Sequence, residues 1–381
     1  MKQGLRWTLA LGVTLLVGCA APVSEIGDTP TPSPTSTDLP TSTELPTITP
    51  MLSAPGRIMF GSHRDGNSEI YVMNADGTDQ INLTRNPAED IAPVWSPDGG
   101  RIAFVSDRSG IDEIYIMNAD GSGLTQITDG SQCAASPAWS PNGKQIAFAA
   151  GRVCYQADIY VINADGSGIT RIMERARIFR TPQPAWSPDG KWLAFFSETY
   201  EPKTSEIYRA SPSGAGLTRL TFGAIDDNPV WSPDGAKIVF ETNRDSQSDS
   251  ELYVMDADGG NQTRLTESLA THFNAAWSPD GSLIAFSSNR SDLLNNGFGF
   301  DYDIYIMSPD GTNQISLMLD KLEQVAPNWS PDGQWITYMC ERVGANIANF
   351  EICVMKRDGN GKIFLTLNRS DDYDPLWQPT P

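Results

Sequence analysis

A five-residue phrase, Trp-Ser-Pro-Asp-Gly, returns along this chain at nearly even spacing, and nothing else in the sequence restricts the fold so strongly. It or a near copy begins at Trp95, Trp139 (with Asn142 for Asp), Trp186, Trp231, Trp277 and Trp329, and a truncated Trp377-Gln378-Pro379 follows near the end. The intervals are 44, 47, 45, 46, 52 and 48 residues. A period in the forties points first to a β-propeller, in which each repeat is one blade.

The residues between the copies support four short strands per unit. After each full copy comes a β run such as Ile102-Ala103-Phe104, then a second such as Glu113-Ile114-Tyr115-Ile116-Met117. A turn, Asn118-Ala119-Asp120-Gly121, and a run ending Ile127-Thr128 complete the unit. Asp-Gly after two turn formers suits a type I turn closed by a residue with positive φ, where Gly has no Cβ to clash. Both faces of the strands are apolar, with Ile102 and Phe104 on one and Ala103 and Val105 on the other, so each sheet needs cover on both sides. Adjacent blades supply it, whereas a stack of open repeats needs caps. The expected fold is all-β, a propeller of four-stranded blades.

The second run occurs seven times, from Ile70-Tyr71 to Ile352-Cys353. The first copy, Ile58 to Thr84, lacks a Trp strand before it, and Tyr373 to Gln378 is a Trp strand with nothing after it. Joined in one sheet, the two ends complete a seventh blade and pair edges that would otherwise lie open. Six blades are the alternative. Trp95 and its counterparts are expected to pack between blades, and Asp98-Gly99 to form a turn. Asp256-Ala257-Asp258-Gly259 lacks the full ligand spacing of a calcium loop and reads as a hairpin turn.

These motifs resemble the PD40 family, the WD40-like repeats of TolB-type propellers, over residues 57 to 378. The resemblance implies a periplasmic or surface-exposed propeller that binds other proteins or peptides. TolB itself has six blades behind an N-terminal α/β domain, a departure from the seven blades and bare tether counted here. By the geometry of that family, the fourth-to-first and second-to-third connections share one face, where each Trp strand starts beside the central channel. Five residues before each Trp stand Asp90, Ala134, Thr181, Asp226, His272, Gln324 and Asp372, with Asp227, Asp371 and Asp374 close by. TolB-type repeats often carry Asp at this place, so a role in holding the loop stands beside a polar mouth that takes a peptide, a cation or a sugar. On the same face, Arg175, Arg177 and Arg180 surround Ile178 and Phe179, and the loop from Leu293 to Phe300 carries Phe298 and Phe300. Arg and aromatic residues are the usual anchors of interfaces. The alternative is that Phe298 and Phe300 fold back over a blade.

Residues 1–18 read as an address. Lys2 and Arg6 precede an apolar run to Val17, and Leu16-Val17-Gly18-Cys19 resembles the lipobox of bacterial lipoproteins, so Cys19 is expected to carry lipid after cleavage. A plain signal peptide or an uncleaved anchor is the alternative. Residues 19–55 hold Thr29 to Pro50, TPTPSPTSTDLPTSTELPTITP, an extended tether of about 3.1 Å per residue that is open to O-glycosylation. The propeller occupies 56–381. The expected location is extracytoplasmic on a bacterial membrane, with the lipid as the only membrane contact, and Ala20 favours the outer membrane where there are two.

Composition narrows the function. Lys plus Arg number 27 against 47 Asp plus Glu, a formal charge of −20; removing Lys2 and Arg6 leaves 25 against 47, or −22. Such a surface repels phosphate backbones, which speaks against nucleic acid. Two histidines, His63 and His272, cannot build a His-based metal cage, and oligogalacturonate lyases, which also have PD40-like propellers, lean on several. No GxSxG occurs, so the hydrolase half of prolyl oligopeptidase-like enzymes is missing. No metal or cofactor is expected. The reading is a monomeric, non-catalytic, lipid-anchored propeller that binds a protein or peptide on its channel face; a carbohydrate-binding or lyase-like propeller using channel carboxylates is the alternative. Four cysteines remain beside Cys19, and in an export compartment disulfides persist. The strand register predicts Cys133–Cys154 and Cys340–Cys353, with free thiols as the alternative.

Overall fold

The computed structural model describes residues 56–152, 157–173, 183–199, 204–246, 249–291, 301–318, 322–344 and 347–380. They form seven antiparallel sheets of four strands each, arranged as the expected seven-bladed propeller. The first strands, each ending in the repeated Trp, are Asp372–Trp377 in blade 1, Asp90–Trp95 in blade 2, Cys133–Trp139 in blade 3 and Ala185–Trp186 in blade 4. Asp226–Trp231, His272–Trp277 and Gln324–Trp329 serve blades 5, 6 and 7. First strands of successive blades approach one another in an unbroken cycle, which places them around the central axis.

Two-sided apolar strands pack as their composition requires. Each of seven hydrophobic clusters joins neighbouring blades; one holds Met59, Ile70 and Val72 of blade 1 against Trp95, Phe104 and Tyr115 of blade 2. The indoles of the six repeat tryptophans Trp95, Trp139, Trp186, Trp231, Trp277 and Trp329 also donate to the carbonyl just before the previous blade's Trp. Trp139 Nε1 lies 3.3 Å from Val94 O and Trp231 Nε1 3.1 Å from Ala185 O. The seventh link differs. Trp377 Nε1 is buried with no acceptor among the described residues, and the Asn328 carbonyl at its station takes Thr337 Oγ1 at 3.2 Å instead.

The Ser-Pro-Asp-Gly part of each repeat is a turn held by its own side chains. Asp98 Oδ1 accepts Ser96 Oγ at 2.5 Å and Gly100 N at 3.0 Å, bonds that hold its carboxyl below the usual range, the serine foremost. Gly99 closes the turn with φ +66°. In Asp256–Gly259 the same economy applies: Gly259 N donates to Asp256 O, and Asp256 takes Lys237 at 2.6 Å.

Closure joins the two ends of the propeller in blade 1, where Ile58 faces Trp377 and Ser62 faces Asp372. Gly61 is required there, because a Cβ at that position would stand 2.3 Å from the Tyr373 ring. Blade 7 departs from the expected strand ends. Cys340 does not end its second strand, which runs Trp335–Gly344 beside Ile347–Lys356; the two strands continue past the first strand by pairing with each other. The Cys340–Cys353 disulfide crosses this pair with Cα atoms 5.9 Å apart. Cys353 faces Tyr338 at the station where the other blades stack Phe on Tyr, such as Phe104 on Tyr115. Cys133 is also disulfide-bonded and pairs across strands with Gly151; its expected partner Cys154 lies outside the described residues, as does Cys19.

Candidate channel-face site

The residues five before each Trp begin the first strands, as expected, but they are not an open row of carboxylates. Asp90, Asp226, His272 and Asp372 are fully buried and Gln324 almost so. Of the two readings of these positions, holding the loop and lining a polar mouth, their burial fits the first, and its basis is an arginine that sequence spacing alone did not flag. It stands two residues beyond the Ser or Thr that ends the second strand, in Ser62-x-Arg64, Ser106-x-Arg108 and Thr242-x-Arg244.

In blades 1, 2 and 5 this arginine and the aspartate form a clamp. Arg64 meets Asp372 at 2.7 Å, Arg108 meets Asp90 at 2.8 Å and Arg244 meets Asp226 at 3.1 Å. Each guanidinium is fixed from other sides too. Arg108 Nε donates to Ser106 Oγ at 2.9 Å, and its carbon lies 5.0 Å from the Tyr115 ring centre, a cation–π contact. Arg64 and Arg244 also donate to Gln80 and Gln262, which donate to backbone carbonyls of the preceding blade. Asn86 binds the second oxygen of Asp90, whereas Asn368 shares Oδ2 of Asp372 with Arg64, both at 2.6 Å. Burying a carboxylate is costly unless it is paired; one oxygen of Asp226 and one of Asp372 nonetheless lack a hydrogen-bond partner among the described residues.

Elsewhere the clamp changes. Blade 3 has Ala134, no acceptor, and its Arg152 is exposed. Thr181 of blade 4 lies outside the described residues. In blade 7 the Gln324 amide donates to Leu322 O, and Arg342 turns to Glu351 at 3.3 Å. In blade 6, Arg290 keeps the clamp position but meets His272, with Nη2 3.4 Å from Nδ1. A guanidinium only donates, so Nδ1 accepts and the ring proton sits on Nε2, 2.8 Å from Ser268 Oγ. Burial, and then the charges of Arg290 and Arg264, push the His272 pKa down to about 3, so the ring is neutral.

Of the neighbouring aspartates, Asp227 is buried and accepts Ser205 Oγ at 2.7 Å. Asp374 is partly exposed, and burial raises its carboxyl to about 6. It belongs to a set that the sequence did not reveal. Three residues before the Trp, Ala92, Ser136, Asn228, Asn274, Ala326 and Asp374 all have φ between +48° and +57°, each within an irregularity of the pairing between first and second strands. All six are partly exposed on the innermost strand. These bulges present a mixed ring of methyl, hydroxyl, amide and carboxyl groups around the axis, with Asp374 its one charged member among the described residues. Arg175, Arg177, Arg180, Phe298 and Phe300 lie outside the described residues.

Models of the PD40 family, described as the TolB beta propeller domain, match residues 36–152, 129–247 and 224–380. The chain belongs to the PD40 family. No curated protein matches its sequence significantly. Among solved structures, TolB from Acinetobacter baumannii is 21% identical over 82% of this chain and 79% of its own, with a TM-score of 0.51. An oligogalacturonate lyase in complex with manganese is 13% identical over 81% of this chain and 85% of its own, TM-score 0.57. A puromycin hydrolase is 17% identical over 84% of this chain but only 53% of its own, TM-score 0.65. At these identities the likeness is one of fold alone, and the structures that share it include a lyase and a hydrolase as well as TolB.

Proposed function

We propose that this PD40 chain is a lipid-anchored, extracytoplasmic propeller that docks a protein or peptide on its channel face without catalysis. The observation that carries this reading is the commitment of Asp90, Asp226 and Asp372 to arginine clamps. A general acid or base must reach its substrate, and these three carboxylates are buried inside the scaffold, which supports recognition over acid/base work at their positions. The bulge ring around Asp374 is partly exposed and chemically mixed, as a docking surface requires. Residues 1–18 act as the lipoprotein signal, 19–55 as the tether from acylated Cys19, and 56–381 as the binding domain; Arg175, Arg177, Arg180, Phe298 and Phe300 extend the docking face.

The lyase-like alternative has less support. Among the described residues no group of three or more His, Cys, Asp and Glu side chains is placed to hold a metal ion. A pull-down from solubilised envelope, set beside a polyuronide turnover screen, separates the two. Specific capture of an envelope protein, weakened by Asp374→Ala, is the expected result; metal-dependent cleavage of a glycan overturns it. Cys19→Ser is expected to release the protein from the membrane or leave its precursor uncleaved, with fractionation and fatty-acid labelling as the measurement.

A further inference from the structure

Four arginines, Arg64, Arg108, Arg244 and Arg290, are held in one geometry by the blade that carries them. Each has its Nε on the hydroxyl of a Ser or Thr, and each lies 4.6 to 5.0 Å from a Tyr ring centre. Three receive a carboxylate from the first strand. Arg290 receives a neutral imidazole instead, while the carboxylate beyond that imidazole, Glu251, is already paired with Arg264 at 2.7 Å. Among the described residues Arg290 has no ion-pair partner, and its side chain is partly exposed.

We propose that Arg290 is an anion-accepting position on the channel face, which takes a carboxylate of the docked peptide in the role that Asp90, Asp226 and Asp372 play within the sister blades. The inference deepens the docking reading and rests on it. A fixed guanidinium binds carboxylate through charge-assisted hydrogen bonds without first losing side-chain entropy. The ligand class is therefore a carboxylate, such as a chain terminus or an acidic side chain of the docked peptide. The chain's formal charge of −20 disfavours anions at a distance, so acceptance depends on a local, preorganised cation.

The sister blades supply the decisive variant. His272→Asp places a carboxylate from the protein itself on Arg290, and Ser268→Asn with His272→Asp copies the Asn86–Asp90 arrangement, should the single change fold poorly. The full-length protein, labelled with ¹⁵N-arginine, is titrated with N-acetyl-leucine and, as neutral control, N-acetyl-leucinamide. The Arg290 Nε–H signal, assigned by Arg290→Lys, is expected to shift saturably with the acid and not with the amide. His272→Asp is expected to weaken that binding at least roughly tenfold, the ratio for loss of one charge-assisted hydrogen bond. No shift in the wild type, an equal shift with the amide, or undiminished binding by a folded His272→Asp protein overturns the proposal. The probe is a single amino-acid derivative, so a failure falls on Arg290 alone; the docking reading stands or falls separately on the envelope pull-down.

Discussion

Blades 2 and 6 hold nearly the same arginine in nearly the same place, yet one is neutralised and the other is not. In blade 2, Asp90 completes an ion pair with Arg108, and Asn86 binds the second carboxylate oxygen. In blade 6, His272 and Ser268 occupy those two stations, so the same scaffold carries one more positive charge. A repeated fold thus separates the parts of a clamp that hold the arginine from the part that balances it. Hydroxyl, aromatic ring and Gln314, whose Oε1 accepts from Arg290 Nη1 at 2.5 Å, suffice to fix Arg290; the carboxylate decides whether its charge is available to a ligand.

The largest effect is expected from breaking the balanced clamp. Asp90→Ala leaves Arg108, whose side chain is 19% exposed, without its counter-charge. Loss of one partner of a buried pair costs about 3 to 5 kcal/mol, and partial access to water reduces this to about 2 to 4 kcal/mol here. Asp90→Ala combined with Arg108→Met is expected to recover a large part of the loss, because the unpaired charge is gone. Urea denaturation of the single and double variants measures both; a double variant no more stable than Asp90→Ala would mean that Asp90 acts by packing or through Asn86.

Acid sharpens the contrast from the other side. The unfolded chain protonates His272 near 6.5, whereas the folded chain resists until about 3. Between those values the unfolded state holds more protons, so the stability that neutral His272 contributes is complete above about 6.5 and is lost progressively as the pH falls toward 3. Each unit across that window changes stability by up to about 1.4 kcal/mol. His272→Asn should flatten the dependence, giving a difference of about 2 kcal/mol between the two proteins in what is lost from pH 6.5 to 4.5. Parallel urea curves at the two pH values test this; identical losses would show that His272 protonates in the fold.

The sequence disclosed the blades more fully than the clamps. Trp spacing, two-sided apolar strands and the unmatched ends at Ile58 and Tyr373 reveal architecture because they are properties of one strand or one period. The Cys340–Cys353 bond was legible for the same reason, being a matter of register between adjacent strands. Burial of Asp90 was not, because it depends on Arg108, 18 residues away, and on ring and hydroxyl contacts whose convergence no spacing states. The bulge ring was hidden more deeply. Ala92, Ser136 and Ala326 carry positive φ without the Gly that usually marks it. Likewise Glu341 and Arg342 look like the end of a strand, yet they continue it by pairing with Phe350 and Asn349.

The smallest expected effect tests whether blade 6 has given up stability for an available charge. His272→Asp restores the sister pairing, and at Arg290 the new carboxylate gains an ion pair in a partly buried setting while it must also be desolvated. These terms oppose each other, so a gain of only about 1 kcal/mol or less is expected at pH 7, and Glu251, 3.6 Å from His272 Nε2, limits it by repulsion. Ser268→Asn should raise the gain, since in blade 2 the Asn86 side-chain amide donates to the second oxygen of Asp90. Thermal unfolding of the single and double variants measures the increments. If both are clearly less stable than the wild type while their folded spectra are unchanged, His272 is the better fit to its blade, and the missing carboxylate reflects local packing instead of stability given up for binding.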